Sequence, residues 1–262
     1  MICDANGIKY VASPLLQGKA VTHGFLTRTG GVSPAPYASL NFDARDTDRV
    51  ENVEKNRALF HEAFGVPPGR LVTVSQVHGK EVLAIEGRLP EKPIEADAII
   101  TNERDVAIGM MTADCQPILL YDPVNRAIGA VHAGWKGTAL GIVVLTAQEM
   151  SSRYGTNPED LIASLGPCIG PCCYKVGWNV LDEYMARHKE NADCFSEKDG
   201  LRMDINNANT VQLALIGVKK ENISDDASCT SCNSDLFFSY RKDGGRTGRQ
   251  LSFIMLSGRD AG

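Results

Sequence analysis

Apolar positions along this chain switch between helical and strand periods. Residues 49–64 repeat at helical spacing. Val50, Val53, Phe60 and Phe64 share a face, Asp48 and Glu51 form a capping box, and Gly65 with Pro67-Pro68 ends the run. Residues 71–77 and 82–85 then read as strands, as do 98–101, 106–112, 118–121 and 127–132. The last two flank Asp122-Pro123-Val124-Asn125, with Asp and Pro at the first two positions of a turn. A helix is predicted over 138–153, closed by Gly155, followed by a strand at 161–165. Further helices are predicted near 176–187 and from an N-cap at Asp204 to Gly217, with late strands at 237–241 and 251–256. Hairpins mixed with scattered helices predict an α+β fold rather than a regular βαβ series. No repeat, low-complexity tract or long linker interrupts the pattern, so residues 1–262 read as one continuous domain.

Composition narrows the function classes. With 43% hydrophobic and 23% charged residues, the 262-residue chain is of ordinary globular make-up, long enough to fold without a metal or disulfide. A net charge of −5 and 6% aromatic residues argue against nucleic-acid binding. No apolar run reaches the roughly 18–20 residues of a spanning helix, and Met-Ile-Cys-Asp-Ala-Asn lacks the basic and apolar regions of a signal peptide. Eight cysteines in such a chain read as thiols or metal ligands in the cytosol rather than as disulfides.

Soft and borderline metal ligands concentrate in Ser75-Gln76-Val77-His78-Gly79, Thr112-Ala113-Asp114-Cys115-Gln116 and Ala130-Val131-His132-Ala133-Gly134-Trp135. A hairpin turning symmetrically about Pro123 and Val124 sets Cys115 opposite His132, with Cβ atoms about 4.5–5.5 Å apart. One cysteine and two histidines suit zinc or copper, and three protein ligands leave the open position a catalytic ion needs. Gly79 and Gly134 permit close approach of backbone to ligand. The same residues also read as a small buried cysteine and satisfied histidines.

Three look-alikes differ in spacing. Residues 129–138 carry an extra residue before Lys136 and another before Thr138, unlike a Walker A loop. Cys168 and Cys172 are three residues apart and lack the His-x-Glu partner of the zinc deaminases. Cys229-Thr230-Ser231-Cys232 is a true C-x-x-C, able to join Cys168, Cys172 or Cys173 in a structural zinc site or to act in redox chemistry. For anions, the glycine-rich loop bearing Arg241, Arg246 and Arg249 and the Arg28-Thr29-Gly30-Gly31 turn offer guanidinium forks and accessible N–H groups, though such loops also serve as solvated turns.

Taken in order, these pieces resemble the laccase-domain family, the YfiH-type, multicopper polyphenol oxidase-like proteins also described as purine nucleoside phosphorylases. The resemblance runs from residues 28–33 and Ser39-Leu40-Asn41 through Gln76-Val77-His78-Gly79, Ala113-Asp114-Cys115-x-Pro117 and residues 132–138. It continues through Gly166-Pro167-x-Ile169, Tyr174-x-Val176-Gly177, Cys229-Thr230, Phe238-Ser239-Tyr240-Arg241 and Thr247-Gly248-Arg249. Lys136 stands where many members carry Arg, which keeps the charge and loses the bidentate fork.

The resemblance implies a single α+β domain of layered α/β/β/α architecture with mixed sheets. It also implies a metal trio of His78, Cys115 and His132 holding zinc, with copper as an alternative. The implied reactions are phosphorolysis of adenosine, inosine and methylthioadenosine, and deamination of adenosine. The implied partners are therefore a small nucleoside and phosphate, handled by a monomer or homodimer. In that scheme the ion activates water for attack at C6 of adenine, and Asp114 is a candidate proton carrier. Arg28, Asn41, Arg241, Arg246 and Arg249 are candidates for binding substrate. Copper polyphenol oxidation is an older family label, but a chain without a His-x-His series lacks the ligands of a blue-copper relay. Rival readings are a metal-free hydrolase or peptidoglycan-precursor amidase with Cys115 as nucleophile and His132 as base, and a structural zinc protein.

Overall fold

The computed structural model describes residues 1–44, 48–226 and 228–257. The chain opens with three strands, Ile2–Ala5 (β1), Ile8–Val11 (β2) and Val21–Leu26 (β3), and then the helix Val50–Phe64 (α1). Strands Leu71–Val72 (β4), Val82–Ile85 (β5), Ala98–Thr101 (β6), Ala107–Thr112 (β7), Gln116–Asp122 (β8) and Ala127–Ala133 (β9) follow. Helices Trp135–Ala139 (α2) and Ile142–Tyr154 (α3) lead to Ile162–Leu165 (β10) and the helix Trp178–Met185 (α4). A small hairpin, Phe195–Glu197 (β11) and Leu201–Met203 (β12), precedes Ile205–Leu215 (α5), Ile223–Asp225 (β13) and Gln250–Leu256 (β14).

Among the described residues the long strands form two six-stranded sheets, ordered β1-β2-β3-β14-β7-β4 and β13-β10-β8-β9-β6-β5. The inner faces meet in a core that includes Phe25, Ile108, Met110 and Ile254 from the first sheet and Ile99, Leu119, Ile128 and Ala130 from the second. The outer face of the first sheet packs on α1, where Phe60 meets Phe253 edge-on at 4.7 Å. The outer face of the second packs on α3 and α5 through residues such as Ile142, Ala147 and Leu213. The result is four layers, α/β/β/α, in mixed sheets of an α+β fold. Continuous apolar runs at β6, β7 and β9 follow from this sandwiching, since both faces of each strand are covered.

Several expectations are corrected. Residues 237–241 form no strand but irregular backbone leading into a turn from Tyr240, with Asp243 N–H donating to Ser239 O and Gly245 N–H to Tyr240 O. The strand expected over 71–77 is confined to Leu71–Val72. The helix expected over 138–153 is two helices, parted at Gly141, whose φ of 75° lies in the left-handed region. Asp48 does not cap α1 as expected: its carboxylate accepts from Arg49 N–H and Asn52 Nδ2, while Val50 is exposed. Asp204 does cap α5, accepting from Asn207 N–H at 3.0 Å.

The β8–β9 register also differs from the expected symmetric turn. Asp122 pairs with Ala127 and Pro117 with His132, so Cys115 lies beyond β8 and is not directly opposite His132. The cause is a four-residue loop, 123–126, in which the Asp122 carboxylate accepts from Val124 and Asn125 N–H, with Arg126 at a φ of 54°.

Candidate metal centre and cleft

The candidate site lies at one end of the two-sheet core. Ile128 and Ala130 point into that core, and the next residue on the same face of β9 is His132, buried at 3% exposure. Asp97, two residues before the core residue Ile99, is fully buried. Cys115 lies where the chain crosses from β7 in the first sheet to β8 in the second. His78 comes from the loop after β4 and has a φ of 58°.

Two side chains fix that loop. Gln76 grips β7 with both ends of its amide, donating to Met111 O at 2.8 Å and accepting from Met111 N–H at 2.9 Å. Asp97 accepts from Val77 N–H at 3.2 Å, His78 N–H at 3.0 Å and Gly79 N–H at 2.6 Å. It also pairs with His132 Nδ1 at 2.7 Å. One carboxylate thus orients both histidines, and by engaging Nδ1–H it makes Nε2 the lone-pair nitrogen whenever the His132 ring is neutral.

His78, Cys115 and His132 each offer a ligand atom, all within 4.8 Å of one another. Cys115 Sγ is 3.8 Å from His78 Nε2. Tetrahedral zinc, with bonds of about 2.05 Å to nitrogen and 2.3 Å to sulfur, separates these donors by about 3.6 Å. The three residues therefore have the donor types and the approximate spacing for a zinc-sized ion. Gly134 makes this possible: a Cβ there would lie 3.0 Å from His78 Cδ2 and 3.1 Å from Cys115 Sγ. Burial alone would raise the Cys115 thiol, but His132 and His78 outweigh it and bring the pKa down to about 6. Burial likewise opposes protonation of His132, yet Cys115 and Asp97 raise it to about 9.

The trio opens onto a cleft of about 580 Å³. Met111, Trp135, Ile169, Tyr174 and Tyr240 give it apolar and aromatic surface, and Asp43, Asp114, Arg241 and Arg249 give it charge. Of the candidate substrate residues, Arg241 and Arg249 line this cleft, whereas Arg28, Asn41 and Arg246 lie outside its lining. Arg28 donates to Ala38 O and Ser234 O and stacks on Phe238. Asn41 bridges Asp43, Asp48 and Arg249 N–H, and Arg246 donates to the Tyr37 hydroxyl. Both Asp114 oxygens are engaged, one by Thr230 Oγ1 at 2.6 Å and the other by Arg241 N–H at 2.7 Å. This carboxylate fastens two distant segments to the cleft wall. Arg241 in turn donates to Cys173 O and Lys175 O and lies over Tyr174.

Asp97 was not among the candidates read from the sequence. Its signal was a lone carboxylate in the apolar run Ala96-Asp97-Ala98-Ile99-Ile100, where burial demands partners.

The sequence profile of the multi-copper polyphenol oxidoreductase laccase family matches residues 22–257. A mouse (Mus musculus) protein named purine nucleoside phosphorylase LACC1 is 36% identical over 255 residues, covering 94% of this chain and 58% of that protein. The chain thus spans little more than half the length of this mammalian relative. The Escherichia coli (strain K12) protein named purine nucleoside phosphorylase YfiH is 39% identical over 241 residues, covering 92% and 96%. The crystal structure of the Bacillus licheniformis hypothetical protein YfiH superposes with a TM-score of 0.89 at 33% identity, covering 98% and 99% of the two chains. In sequence and in fold, the chain belongs to the multi-copper polyphenol oxidoreductase laccase family, whose YfiH proteins it resembles over nearly its whole length.

Proposed function

We propose that this chain is a metal-dependent purine nucleoside phosphorylase acting on adenosine, inosine and methylthioadenosine, and that it also deaminates adenosine. One observation carries the reading: a metal-binding trio, an aromatic surface and two arginines share a cleft of about 580 Å³, within the usual range for a small-molecule site. The names of its relatives support the same reaction class.

Two imidazoles and a thiolate favour zinc over a harder ion, with copper the alternative. When bound, such an ion supplies Lewis acidity, which polarises a departing base or acidifies water. The remaining work falls to the chain. Asp97 holds His132 in one tautomer and fixes the 77–79 loop. Trp135, Tyr174 and Tyr240 offer flat faces to a purine. Arg241 and Arg249 draw phosphate into the cleft, where phosphorolysis needs it behind the ribosyl carbon as the base departs. Asp114 serves as the fastening that sets Arg241 in place.

The test is chromatography of adenosine incubated with zinc-loaded protein and phosphate, beside Cys115→Ala. Adenine, hypoxanthine or inosine formed only by wild type supports the proposal, and no turnover with zinc bound refutes it. A second reading, Cys115 as nucleophile with His132 as base, is favoured by the low thiol pKa of about 6 beside a buried imidazole. Inactivation of the metal-free protein's hydrolytic activity by iodoacetamide would support it, whereas activity abolished by chelator alone supports the metal.

A further inference from the structure

Outside the trio, four more cysteines converge. Cys172 and Cys173 lie on the loop after β10, and Cys229 and Cys232 on the segment after β13. Their sulfurs all lie within 4.8 Å of one another, with Cys232 Sγ 3.6 Å from Cys172 Sγ and 3.4 Å from Cys173 Sγ. We infer that these four thiolates form a second metal centre, a closed site for one zinc ion.

The geometry fits. Four arms of about 2.3 Å in a tetrahedron place sulfurs about 3.8 Å apart, close to the spacing seen before any ion draws them together. The backbone is arranged around the cluster. Cys168 and Cys229 pair in a parallel bridge, and Thr230 N–H donates to Cys168 O. A Cβ at Gly170 would sit 3.3 Å from Cys229 Cβ and 3.4 Å from Cys172 Sγ, so glycine here lets the two segments approach without crowding. Zinc with four thiolates carries a net charge of −2, and two guanidinium groups stand beside it. Arg202 donates to Pro171 O and Cys172 O, and Arg241 to Cys173 O. With four protein ligands no position remains for water or substrate, so the role is structural. The ion would brace the two segments that carry Tyr174, Arg241 and Thr230, the partner of Asp114, at the cleft wall.

The inference stands on the cluster alone and is tested apart from the trio. Cys115→Ala protein is loaded with cobalt(II) and its thiolate-to-metal charge-transfer band recorded, and zinc per chain is measured on the same protein purified without chelator. The expected result is one equivalent of zinc and a four-thiolate cobalt spectrum in Cys115→Ala, both lost in a Cys115→Ala chain that also carries Cys229→Ser and Cys232→Ser. Should that variant fail to fold, iodoacetamide labelling of Cys115→Ala followed by peptide mass spectrometry gives an independent answer. The four cysteines should label at least tenfold more slowly with one equivalent of zinc added to Cys115→Ala than with chelator. No charge-transfer band, equal labelling with and without zinc, or bound iron in place of zinc would each overturn the assignment.

Discussion

Asp97→Asn is the sharpest test of how the trio is held. The substitution keeps the shape but turns one carboxylate oxygen into an amide NH2, on a group that accepts from four donors. If the NH2 takes the place of Oδ1, it faces His132 Nδ1 and His78 N–H. His132 can then accept only by moving its proton to Nε2, which removes the lone pair needed for the metal. If the NH2 takes the place of Oδ2, Val77 and Gly79 N–H lose their acceptor and the loop bearing His78 is released. Either placement leaves about two buried or half-buried donors unpaired, at about 1–3 kcal/mol each, so a stability loss of roughly 2–6 kcal/mol is expected. Zinc affinity should fall about 10–100-fold, or about 1.4–2.7 kcal/mol, as for other ligand-orienting carboxylates. Competition against a fluorescent chelator and urea unfolding of the metal-free protein read the two effects separately. An Asp97→Asn protein that binds zinc as tightly as wild type would refute the orienting role.

Three further outcomes follow from particular atoms. Gly134→Ala should preserve folding, because its φ of −71° suits any residue, yet weaken zinc about tenfold by pressing on His78 and Cys115; unchanged chelator competition would contradict this. His23 is buried and accepts from Ser13 N–H, and burial lowers its pKa to about 4. The unfolded chain takes up that proton first, so stability should drain away as pH falls from about 6.5 to 4, by about 3 kcal/mol. His23→Gln should flatten that part of a pH series of urea midpoints, and an unaltered slope would count against it. Arg241→Met should raise the phosphate KM of phosphorolysis about tenfold or more by removing a charged donor, and unchanged phosphate kinetics would remove Arg241 from the phosphate site.

Short apolar runs set between turn formers were legible in the sequence. β5 and β6 coincide with their expected spans, because each is a short run of apolar residues between turn formers. The N-terminal strands were not anticipated: β1 alternates only weakly and is half exposed, and in β3 the residues Thr22, His23 and Gly24 interrupt the apolar run although the strand is mostly buried. The expected strand at 237–241 failed for the opposite reason. Phe237 and Phe238 are apolar because they are buried, but the chain there turns back on itself. The break at Gly141 was hidden because the apolar spacing continues across it into Ile142 and Val143. The trio was readable since His, Cys and His are rare types with few other uses in a core. The turn that sets the register was not, because its four-residue length is decided by the Asp122 side chain. Asp97 and Gln76 act by binding backbone N–H and C=O groups, a role any polar residue can fill and no spacing announces.

The placing of β14 has a consequence for how the protein is made. This strand lies between β3 and β7, and all its residues are buried. Phe25 therefore waits for Ser252 before its strand gains a second neighbour on that edge. At about 5–20 residues per second, a ribosome needs roughly 7–30 s to travel from the end of β7 to the start of β14. Throughout that interval the first half-sheet carries two open edges flanking an empty slot, each able to pair with another chain. Yield in a crowded cell should accordingly depend on how fast the final stretch emerges and on what shields the slot until then.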